Sequence, residues 1–431
     1  MTYTAAVSYL YSLQKHGIKL GLDTMTALVG RLGMPQARYR TLHIAGTNGK
    51  GSTAAMTAAM LHAGGYRVGL YTSPHLVEFG ERIRVNGRMI PESEIARMTD
   101  VVKDAADPDL PPTFFEFTTA MAFRYFAEAE VDVAVLEVGL GGRFDATNVV
   151  SPIACGVTTI GLDHQQYLGN TLESVAFEKA GIIKPNVPVV VGRVPDKARE
   201  VIERIAAERA APLLCWGRDF RVEGETPAHF SYLGFGARYD ALSCPLMGVH
   251  QLENCACALS LIETVRPHRL AVAEPAIRQG LREVQWEGRL EVVSRDPLTI
   301  LDGAHNPAAA QALAGYLRAF RRSNPLSRVI LVLAMMRDKD HQGFLEPLIE
   351  LVDDVVLTQA ALKRSATIDE LLLHVRRIWP EVRINARVAD ALSEARRLAR
   401  SQDLICVTGS LMLIGEVKAL LRGCGLSPLR G

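Results

Sequence analysis

Short apolar runs alternate with helical patterns along the first part of the chain. The runs are rich in Val, Ile and Leu, lack polar alternation, and span residues 39–45, 67–71, 131–138, 153–160 and 187–191. This composition is typical of parallel strands buried on both faces. A helical pattern at 52–63 follows the first run. We therefore predict an α/β domain with a mainly parallel sheet, and the alternating aromatic and polar residues at 218–241 predict an antiparallel extension.

A second alternation follows and predicts a smaller domain. Strands are predicted at 298–301, 328–334, 354–358 and 404–408, and helices at 307–321, 341–351, 367–378 and 389–401. This order is typical of a Rossmann-like, doubly wound fold. A chain of 431 residues also exceeds what one hydrophobic core usually organises. We place the two domains at residues 1–286 and 287–431, with the boundary near residues 285–289.

A glycine-rich loop joins the first predicted strand to the helix that follows it. Its sequence is Gly46-Thr47-Asn48-Gly49-Lys50-Gly51-Ser52. Glycines let successive backbone N–H groups turn toward one anion, a helix N-terminus favours negative charge, and the lysine adds a full positive charge. The alternative is a flexible turn, but such a turn rarely needs three glycines, a lysine and two hydroxyls together. The segment predicts a P-loop-type site for nucleotide phosphates.

The loop differs from the ordinary P-loop, whose pattern is G-x-x-x-x-G-K-[ST]. Gly46 and Gly49 are only three positions apart, and Gly51 separates Lys50 from Ser52. Ser52, or the threonine after it, could offer a hydroxyl to Mg²⁺, which prefers oxygen ligands. The spacing therefore indicates a variant of the phosphate loop.

Composition and charge narrow the range of partners. The chain has 48 Lys and Arg against 47 Asp and Glu, so it offers no field for nucleic acid or an anionic membrane. No apolar run approaches a membrane span, and the N-terminus lacks a basic region followed by an apolar one. The seven cysteines are scattered without a CxxC pair, which favours free thiols over zinc ligands. We predict a cytoplasmic monomer that acts on small molecules.

Polar residues follow two of the predicted strands in the first domain. Glu137 lies at the end of the third predicted strand, and His164 follows the fourth. Open α/β sheets bind ligands at the carboxyl ends of their strands, so both side chains can face the same crevice as Lys50. They are candidate Mg²⁺ ligands, although His164 alone could equally be a turn residue or a helix cap. Lys179 lies at a predicted helix C-terminus, where a lysine is usually solvated.

Several motifs occur in a fixed order from about residue 5 to residue 420. Besides the glycine-rich loop they are Tyr71-Thr72-Ser73-Pro74-His75-Leu76, Glu137-Val138-Gly139-Leu140-Gly141-Gly142-Arg143, Leu162-Asp163-His164, Glu178-Lys179-Ala180-Gly181 and Asp302-Gly303-Ala304-His305-Asn306-Pro307. This set resembles the folylpolyglutamate synthase/dihydrofolate synthase family of the ATP-dependent Mur ligase superfamily. The resemblance implies ligation of L-glutamate to dihydropteroate, giving dihydrofolate, and to reduced folates, giving polyglutamates, through an acyl phosphate formed with ATP.

The resemblance also implies roles for residues of the first domain. The ATP phosphates would be held by Thr47, Asn48, Gly49, Lys50, Gly51 and Ser52, and two magnesium ions by Ser73, Glu137, His164 and Lys179. Lys179 matches a lysine that the family carries as a carbamate, which is anionic and offers Mg²⁺ an oxygen ligand. Carbamate formation requires a neutral amine, so Lys179 should be shielded from solvent, which lowers its pKa. The implied catalytic residues are Lys50, Lys179, His164 and His305.

Further substrate contacts are implied in both domains. Nucleotide contacts are expected from Asn254, Arg289 and Asp302, glutamate contacts from His305 and Ser410, and pterin contacts from Thr113, Phe114, Phe115, Phe144, Asp145 and Ala146. For any one of the phenylalanines, core packing is an equal alternative. The family often has Pro-Gly-Arg where this chain has Glu287-Gly288-Arg289, which alters the rigidity of the arginine's approach. An N-terminal pterin segment corresponds to residues 17–20, where Lys19 replaces an acidic residue of some relatives.

Two alternative functions stay open at this point. One is a folylpolyglutamate synthase that lacks the dihydrofolate synthase activity. The other is a nucleotide-binding switch without ligase chemistry, which would not need Asp302, His305 and Arg289 at the nucleotide. A Mur ligase acting on a cell-wall precursor is disfavoured, because Asn48 and the order Lys50-Gly51-Ser52 differ from the usual loop of those enzymes.

Overall fold

A computed structural model describes residues 1–17 and 19–426 of the protein. Ile18, which lies in the segment 17–20 that resembles a pterin-binding segment, falls outside the described residues, as do residues 427–431. The chain forms two compact units. The first comprises Met1–His75, Phe79–Pro245 and Gln251–Val284; the second comprises Leu76–Glu78, Leu246–His250 and the chain from Gln285 onward. Two short segments that precede residue 286 therefore belong to the second unit.

The first unit contains an eight-stranded sheet. Its strands are β1 (Arg40–Ala45), β2 (Val68–Tyr71), β3 (Ile83–Val85), β4 (Arg88–Met89), β5 (Val133–Glu137), β6 (Ala154–Val157), β7 (Val189–Val191) and β8 (Leu213–Cys215). The order across the sheet is β4-β3-β2-β5-β1-β6-β7-β8. The neighbouring strands β2, β5, β1, β6, β7 and β8 all pair in parallel. At one edge of the sheet, β3 pairs antiparallel with both β2 and β4. The predicted mainly parallel sheet is confirmed, with the glycine-rich loop directly after β1.

Helices connect and cover these strands. They are α1 (Tyr3–Ser12), α2 (Asp23–Arg31), α3 (Lys50–Ala63), α4 (Glu92–Ala105), α5 (Phe114–Glu128), α6 (Gln165–Leu168), α7 (Leu172–Ala180), α8 (Asp196–Glu208), α9 (His250–Thr264) and α10 (Glu274–Glu283). Helix α3 begins at Lys50, two residues before the predicted start, because Gly49 is the last loop residue with a left-handed φ, +83°. The lysine of the phosphate loop is thus the first residue of the helix.

The predicted antiparallel extension is also confirmed. Strands β9 (Arg221–Thr226), β10 (His229–Leu233) and β11 (Arg238–Leu242) form a separate three-stranded antiparallel sheet in the order β11-β10-β9. The inward side chains Phe230 and Tyr232 of β10 are fully buried. The alternation of aromatic and polar residues therefore reflects one buried face and one exposed face.

The second unit contains a six-stranded sheet with helices on both faces. Its elements are β12 (Glu291–Arg295), β13 (Leu298–Leu301), α11 (Pro307–Ser323), β14 (Val329–Leu333), α12 (His341–Leu345), β15 (Asp354–Leu357), α13 (Ile368–Val375), β16 (Arg383–Ile384), α14 (Val388–Leu398), β17 (Leu404–Thr408) and α15 (Leu411–Arg422). The strand order is β12-β13-β17-β14-β15-β16, parallel except for the edge pair β12–β13. Along β14, Val329, Leu331 and Leu333 face one core, and the alternate residues face the other.

The helix predicted at 341–351 is too long. Helix α12 ends at Leu345 and gives way to a 3₁₀ turn, Glu346–Leu348. Pro347 explains the difference, since proline has no N–H and its ring clashes inside an α-helix. Within the residues that the structure describes, no helix is long and apolar enough to span a bilayer.

The close packing of α10 on α3 supplies a first prediction. A Cβ atom built on Gly280 would lie 2.5 Å from the Met60 Cα. Gly280→Ala should therefore lower the free energy of unfolding by about 1–3 kcal/mol, because two helix backbones would have to separate. Gly30→Ala in α2 is the control, since a Cβ there meets nothing within 4 Å. Urea unfolding followed by circular dichroism measures both, and equal destabilisation by the two substitutions would contradict the packing.

Candidate active site

The glycine-rich loop turns sharply between β1 and α3. Gly46 and Gly49 have φ values of +150° and +83°, which glycine adopts without strain. A Cβ on Gly46 would lie 1.9 Å from Thr158 Oγ1, and a Cβ on Gly49 would lie 2.2 Å from Asn254 Oδ1. The loop thus packs tightly against two polar side chains of the first unit. One of them is Asn254, a predicted nucleotide contact.

Hydrogen bonds from the chain after β6 hold the loop in place. The backbone N–H of Thr47 donates to Thr159 O (2.8 Å), and that of Asn48 donates to Thr159 Oγ1 (3.0 Å). Thr158 Oγ1 donates to Asn48 O at 2.6 Å. Lys50 Nζ lies 3.3 Å from Thr47 O. Sequence analysis missed Thr158 and Thr159; two adjacent hydroxyls at the end of an apolar run were the available signal.

Ser73 and Glu137 meet at the carboxyl ends of two neighbouring strands. Tyr71 of β2 pairs with Leu136 of β5, so the residues after them lie side by side. The Ser73 backbone N–H donates to Glu137 Oε2 at 3.2 Å, and the glutamate is buried. A carboxylate and a hydroxyl-bearing residue at one edge are hard oxygen donors of the kind that Mg²⁺ prefers. The donor chemistry of this pair fits the predicted ion.

In residues 1–17 and 19–426, no group of three or more His, Cys, Asp or Glu side chains is arranged to bind a metal ion. The predicted magnesium set contains only two such residues, Glu137 and His164, beside a serine and a lysine. His164 has a left-handed φ of +49° and precedes α6. Its backbone N–H donates to Asp163 Oδ1 at 2.8 Å. The helix-cap alternative therefore describes the backbone of His164, and a ligand role for its ring stays a prediction.

Lys179 is buried at the end of α7. Its Nζ donates to Gly46 O at 2.9 Å, and its side chain is 5% exposed. Burial, together with the charge of Lys50, lowers the pKa of Lys179 to about 7, while Asp163 and Asp145 oppose the shift. The predicted shielding of this lysine from solvent is confirmed. Lys50, Lys179, Asp163 and Asp145 thus lie within electrostatic reach of one another at one edge of the sheet.

The loop after β5 packs directly on the end of α7. Arg143 forms an ion pair with Glu178 at 2.7 Å, and its backbone N–H donates to Glu178 O at 2.8 Å. A Cβ on Gly142 would lie 2.8 Å from Lys179 O, and a Cβ on Gly181 would lie 2.5 Å from the Arg143 Cα. Gly181 ends the helix as predicted, but its φ is −57°, so close approach explains the glycine. Two motifs separated in sequence therefore form one packed cluster.

Asp145 anchors the loop that carries it. Its carboxylate accepts hydrogen bonds from the backbone N–H groups of Gly139, Leu140 and Thr147 and from Thr147 Oγ1 at 2.5 Å. Burial raises the pKa of Asp145, although these hydrogen bonds act in the opposite direction. The lone pairs of this predicted pterin contact are thus engaged by its own loop. The pterin role of Asp145 stays a prediction.

A buried histidine extends this network. His43 Nε2 lies 2.7 Å from Thr147 Oγ1. Because the threonine hydroxyl donates its proton to the Asp145 carboxylate, it must accept from His43, which places the histidine proton on Nε2. Burial, together with the charge of Lys184, lowers the pKa of His43 to about 3. Sequence analysis missed His43, although it lies in the strand that leads into the glycine-rich loop, because its partner Thr147 lies 104 positions away along the chain.

The predicted pterin residues around α5 have structural contacts of their own. Thr113 caps the helix: its hydroxyl accepts from the Glu116 N–H, and Glu116 accepts from the Thr113 N–H. The Phe115 ring lies on Gly139, where a Cβ would meet it at 2.5 Å. The guanidinium of Arg82, a buried residue that sequence analysis missed, lies 5.2 Å from the centre of the Phe114 ring. Phe114 therefore contacts a cationic group, whereas Phe115 packs on the loop after β5.

The remaining predicted pterin residues adjoin Asp145. The Phe144 ring lies 4.2 Å from the Arg143 guanidinium, and Ala146 begins a buried 3₁₀ turn, Ala146–Val149. These two residues therefore share the loop that Asp145 organises.

The other predicted residues belong to the second unit. Asp302 directly follows β13, and its carboxylate accepts from the backbone N–H groups of Leu290 (2.9 Å) and Ala304 (3.0 Å). His305 Nδ1 donates to Gly303 O at 2.7 Å. Ser410 follows the adjacent strand β17 and caps α15, with its hydroxyl accepting from Met412 N at 3.0 Å. Asp302, His305 and Ser410 lie at the carboxyl edge of this unit's sheet.

Arg289 lies beside the same edge. A Cβ on Gly303 would lie 2.6 Å from Arg289 Nη1. His250 is buried near Arg289 and Asp302: burial lowers its pKa, and Asp302 acts against that shift. His250 was also missed, since its position before a helical run resembled an ordinary helix start.

Family models match both parts of the chain. The Mur ligase middle domain matches residues 44–262, and the glutamate ligase domain of Mur ligases matches residues 288–411. These two matches define the class of protein as a Mur ligase.

Individual relatives narrow the class. The dihydrofolate synthase/folylpolyglutamate synthase of Bacillus subtilis is 35% identical, covering 97% of this chain and 99% of the relative. The structure of Escherichia coli FolC in complex with DHPP and ADP has a TM-score of 0.89 at 35% identity, covering 98% of each chain. The bifunctional enzyme of Yersinia pestis, solved with AMPPNP and Mn ion, has a TM-score of 0.88 at 34% identity and the same coverage. The chain belongs to the dihydrofolate synthase/folylpolyglutamate synthase family.

The hydrogen-bonded chain His43–Thr147–Asp145 supplies a second prediction. Thr147→Val removes a donor to the carboxylate and leaves the buried His43 Nε2–H without its acceptor. We expect a loss of about 1–3 kcal/mol in the free energy of unfolding. Thr147→Ser keeps the hydroxyl and should lose less than half as much, as measured by urea unfolding. Equal losses for the two variants would show that the hydroxyl contributes nothing.

Proposed function

We propose that this protein ligates L-glutamate to dihydropteroate, giving dihydrofolate, and to reduced folates, giving polyglutamates, with ATP as the energy source. A carboxylate is a poor electrophile, because its charge is delocalised and the leaving group would be oxide. Transfer of the γ-phosphoryl group gives an acyl phosphate, whose leaving group is phosphate. The glutamate amine then attacks the carbonyl carbon, and the products are an amide, ADP and phosphate.

The observation that carries this proposal is the cationic, glycine-lined edge of the eight-stranded sheet. Lys50 begins α3, where backbone N–H groups and the helix dipole favour phosphate. Lys179 lies within electrostatic reach of Lys50, and the acidic residues Asp163 and Asp145 lie near it. We assign the ATP phosphates to Thr47, Asn48, Gly49, Lys50, Gly51 and Ser52. Preorganised donors of this kind stabilise the charge that develops on a transferred phosphoryl group.

Divalent metal is proposed at the neighbouring strand ends. Ser73 and Glu137 would hold it, with His164 and a carbamate on Lys179 as further ligands and two ions in all. A bound divalent cation supplies neutralisation of phosphate charge. The buried Glu137 is held near Ser73 by a hydrogen bond, so its carboxylate is oriented before ligands arrive. The bound Mn ion and AMPPNP of the Yersinia relative support a nucleotide–metal site.

The acceptor and amino acid sites are proposed from the family resemblance. Thr113, Phe114, Phe115, Phe144, Asp145 and Ala146 are assigned to the pterin, while His305 and Ser410 are assigned to glutamate. Asn254, Arg289 and Asp302 are assigned to the nucleotide. The placement of Asp302, His305 and Ser410 at a carboxyl sheet edge supports these assignments, since open α/β sheets bind ligands there. We further propose that the enzyme acts as a monomer in the cytoplasm and binds no nucleic acid.

The two activities can be separated in one assay. Purified protein with ATP, Mg²⁺, glutamate and dihydropteroate should form dihydrofolate, and with tetrahydrofolate it should form polyglutamates, releasing one ADP for each amide bond. Chromatography of the folates and a coupled ADP assay measure both outcomes. Extension of tetrahydrofolate without dihydrofolate formation would favour the folylpolyglutamate synthase alternative. ATP turnover without any amide product would favour a nucleotide-binding switch.

Carbamylation of Lys179 gives a further prediction. Because its pKa is lowered to about 7, a large share of the amine is neutral at physiological pH and can capture CO₂. Lys179→Ala should lower kcat by roughly 100-fold or more, because the transition state would lose one charge-stabilising group. Short-chain carboxylic acids should restore part of the activity by supplying the missing carboxylate.

The control for this experiment is Lys184→Ala. Lys184 is partly buried, and its Nζ donates to Asn148 O at 3.0 Å, but it has no assigned ligand role. Its activity should not respond to added acids. Wild-type protein equilibrated with ¹³C-bicarbonate should also show a carbamate carbon signal that Lys179→Ala lacks. Retained activity in Lys179→Ala, or a loss that no acid restores, would contradict the carbamate.

A further inference from the structure

A buried lysine joins the last helix of the second unit to the segment that carries Arg289. Lys418 of α15 has a side chain that is 5% exposed. Its Nζ lies 2.5 Å from Glu291 Oε1 and 3.2 Å from Glu287 Oε1. Arg422, one helical turn later, places Nη2 2.6 Å from Glu287 Oε1 and 2.9 Å from Glu287 Oε2. We call these four residues the Lys418 network. A buried ammonium is costly without anionic partners. The pairing with Lys418 therefore holds the carboxylates of Glu287 and Glu291 against α15.

The two carboxylates lie on either side of Arg289 in the sequence. Glu291 Oε2 accepts from the Gly288 backbone N–H at 2.7 Å. Gly288 O in turn accepts from the Gly303 N–H at 2.9 Å. The Leu290 N–H donates to Asp302 Oδ2 at 2.9 Å. The backbone immediately before and after Arg289 is therefore fixed, on one side through the Lys418 network and on the other through Asp302.

The turn at residues 287 and 288 shows why such a network is needed. Gly288 has a φ of +69°, which suits the third residue of a type II turn. Proline is favoured just before such a glycine, because its ring fixes φ in advance. This chain has Glu287 there, so the backbone itself does not restrict the turn. The side chain of Glu287 instead makes ion pairs to α15.

We propose that the Lys418 network positions Arg289 by holding the Glu287–Gly288 turn through ion pairs, in the place where a proline would hold it through its ring. Glu287 and Lys418 are then positioning residues that act through Arg289. The proposal rests on the proposed function, in which Arg289 contacts the ATP phosphates. A network that only attaches α15 to the unit would stabilise the fold without any effect on Arg289.

Four variants separate these possibilities. Glu287→Ala removes the ion pairs, and Glu287→Pro removes them but restricts the turn. Among the described residues the Glu287 backbone N–H donates no hydrogen bond, so proline displaces none. Arg289→Ala tests the proposed function itself. Glu394→Ala is the matched control, because Glu394 also pairs with two arginines of the second unit, Arg383 and Arg397.

We expect Glu287→Ala to raise the KM for ATP by about three- to tenfold with kcat changed by less than about twofold, as a lost positioning contact predicts. Glu287→Pro should return KM to within about twofold of wild type, although it also lacks the carboxylate. Glu394→Ala should leave KM unchanged. Moderate salt should raise KM in wild type more than in Glu287→Pro, because the network is partly exposed and is screened.

Hydrogen exchange provides a readout that does not depend on activity. Backbone amides of residues 288–291 should exchange several-fold faster in Glu287→Ala than in wild type, and slowly again in Glu287→Pro. Unchanged exchange in Glu287→Ala would overturn the proposal, even if the proline variant failed to fold. The proposal would also be overturned if Glu287→Ala raised the KM for ATP and the exchange rate but Glu287→Pro restored neither. If Arg289→Ala itself binds ATP normally while exchange responds as expected, the assigned role of Arg289 fails and the network stands.

Discussion

An ammonium group 2.9 Å from the Gly46 carbonyl oxygen can be buried only if several backbone segments close around it. In the first unit these segments are the glycine-rich loop, the loop after β5 and the end of α7. Gly142 and Gly181 let the last two touch backbone to backbone, because a Cβ on either would overlap Lys179 or Arg143. Burial in turn lowers the pKa of Lys179. The close packing at this edge of the sheet therefore also determines the charge state of Lys179.

The same burial explains the distribution of charge around it. Lys50 and Lys179 repel each other, which lowers the pKa of the buried lysine, and Asp163 and Asp145 compensate in part. An edge with two cationic groups and oriented backbone N–H donors is suited to a polyphosphate. Conversion of Lys179 to a carbamate would reverse its sign and turn repulsion from Lys50 into attraction. The ammonium and the carbamate of Lys179 can interconvert at this position only through the neutral amine, which the lowered pKa makes accessible.

Much of this arrangement could be predicted from the sequence, because the residues concerned are marked by their immediate neighbours in the chain. The loop Gly46–Ser52 lies between an apolar run and a helical run, so a phosphate site is predicted there from adjacent residues alone. Glu137 follows from the same logic, because it ends an apolar run. Thr158 and Thr159 also follow an apolar run, but their role as partners of the glycine-rich loop could not be found this way, because the loop lies about 110 positions earlier in the chain. His43 was missed for the same reason, since its partner Thr147 lies 104 positions away.

Asp145 shows a second limit of local patterns. A carboxylate beside Phe144 suggests a ligand contact, yet its oxygens accept hydrogen bonds from Gly139, Leu140 and Thr147. Sequence spacing cannot distinguish a carboxylate that faces a substrate from one that organises its own loop. Both roles require the residue to lie after the strand. The hydrogen-bond distances reveal the anchoring role, which sequence spacing could not, and the pterin role of Asp145 stays a prediction.

Some contacts of the second unit join residues that are even farther apart in the sequence. Its edge strand β12, which pairs antiparallel beside a parallel sheet, was not predicted. Helix α12 was predicted, but its end was placed at residue 351 instead of Leu345, because Pro347 turns the chain into a 3₁₀ turn. At residue 287 the family pattern made glutamate look like a loss of rigidity. Its partner Arg422 lies 135 positions away and Lys418 contacts the nearby Glu291 across 127 positions, so no local pattern could reveal them. A proline acts through its own backbone, whereas an ion pair depends on the whole fold to bring its partner near.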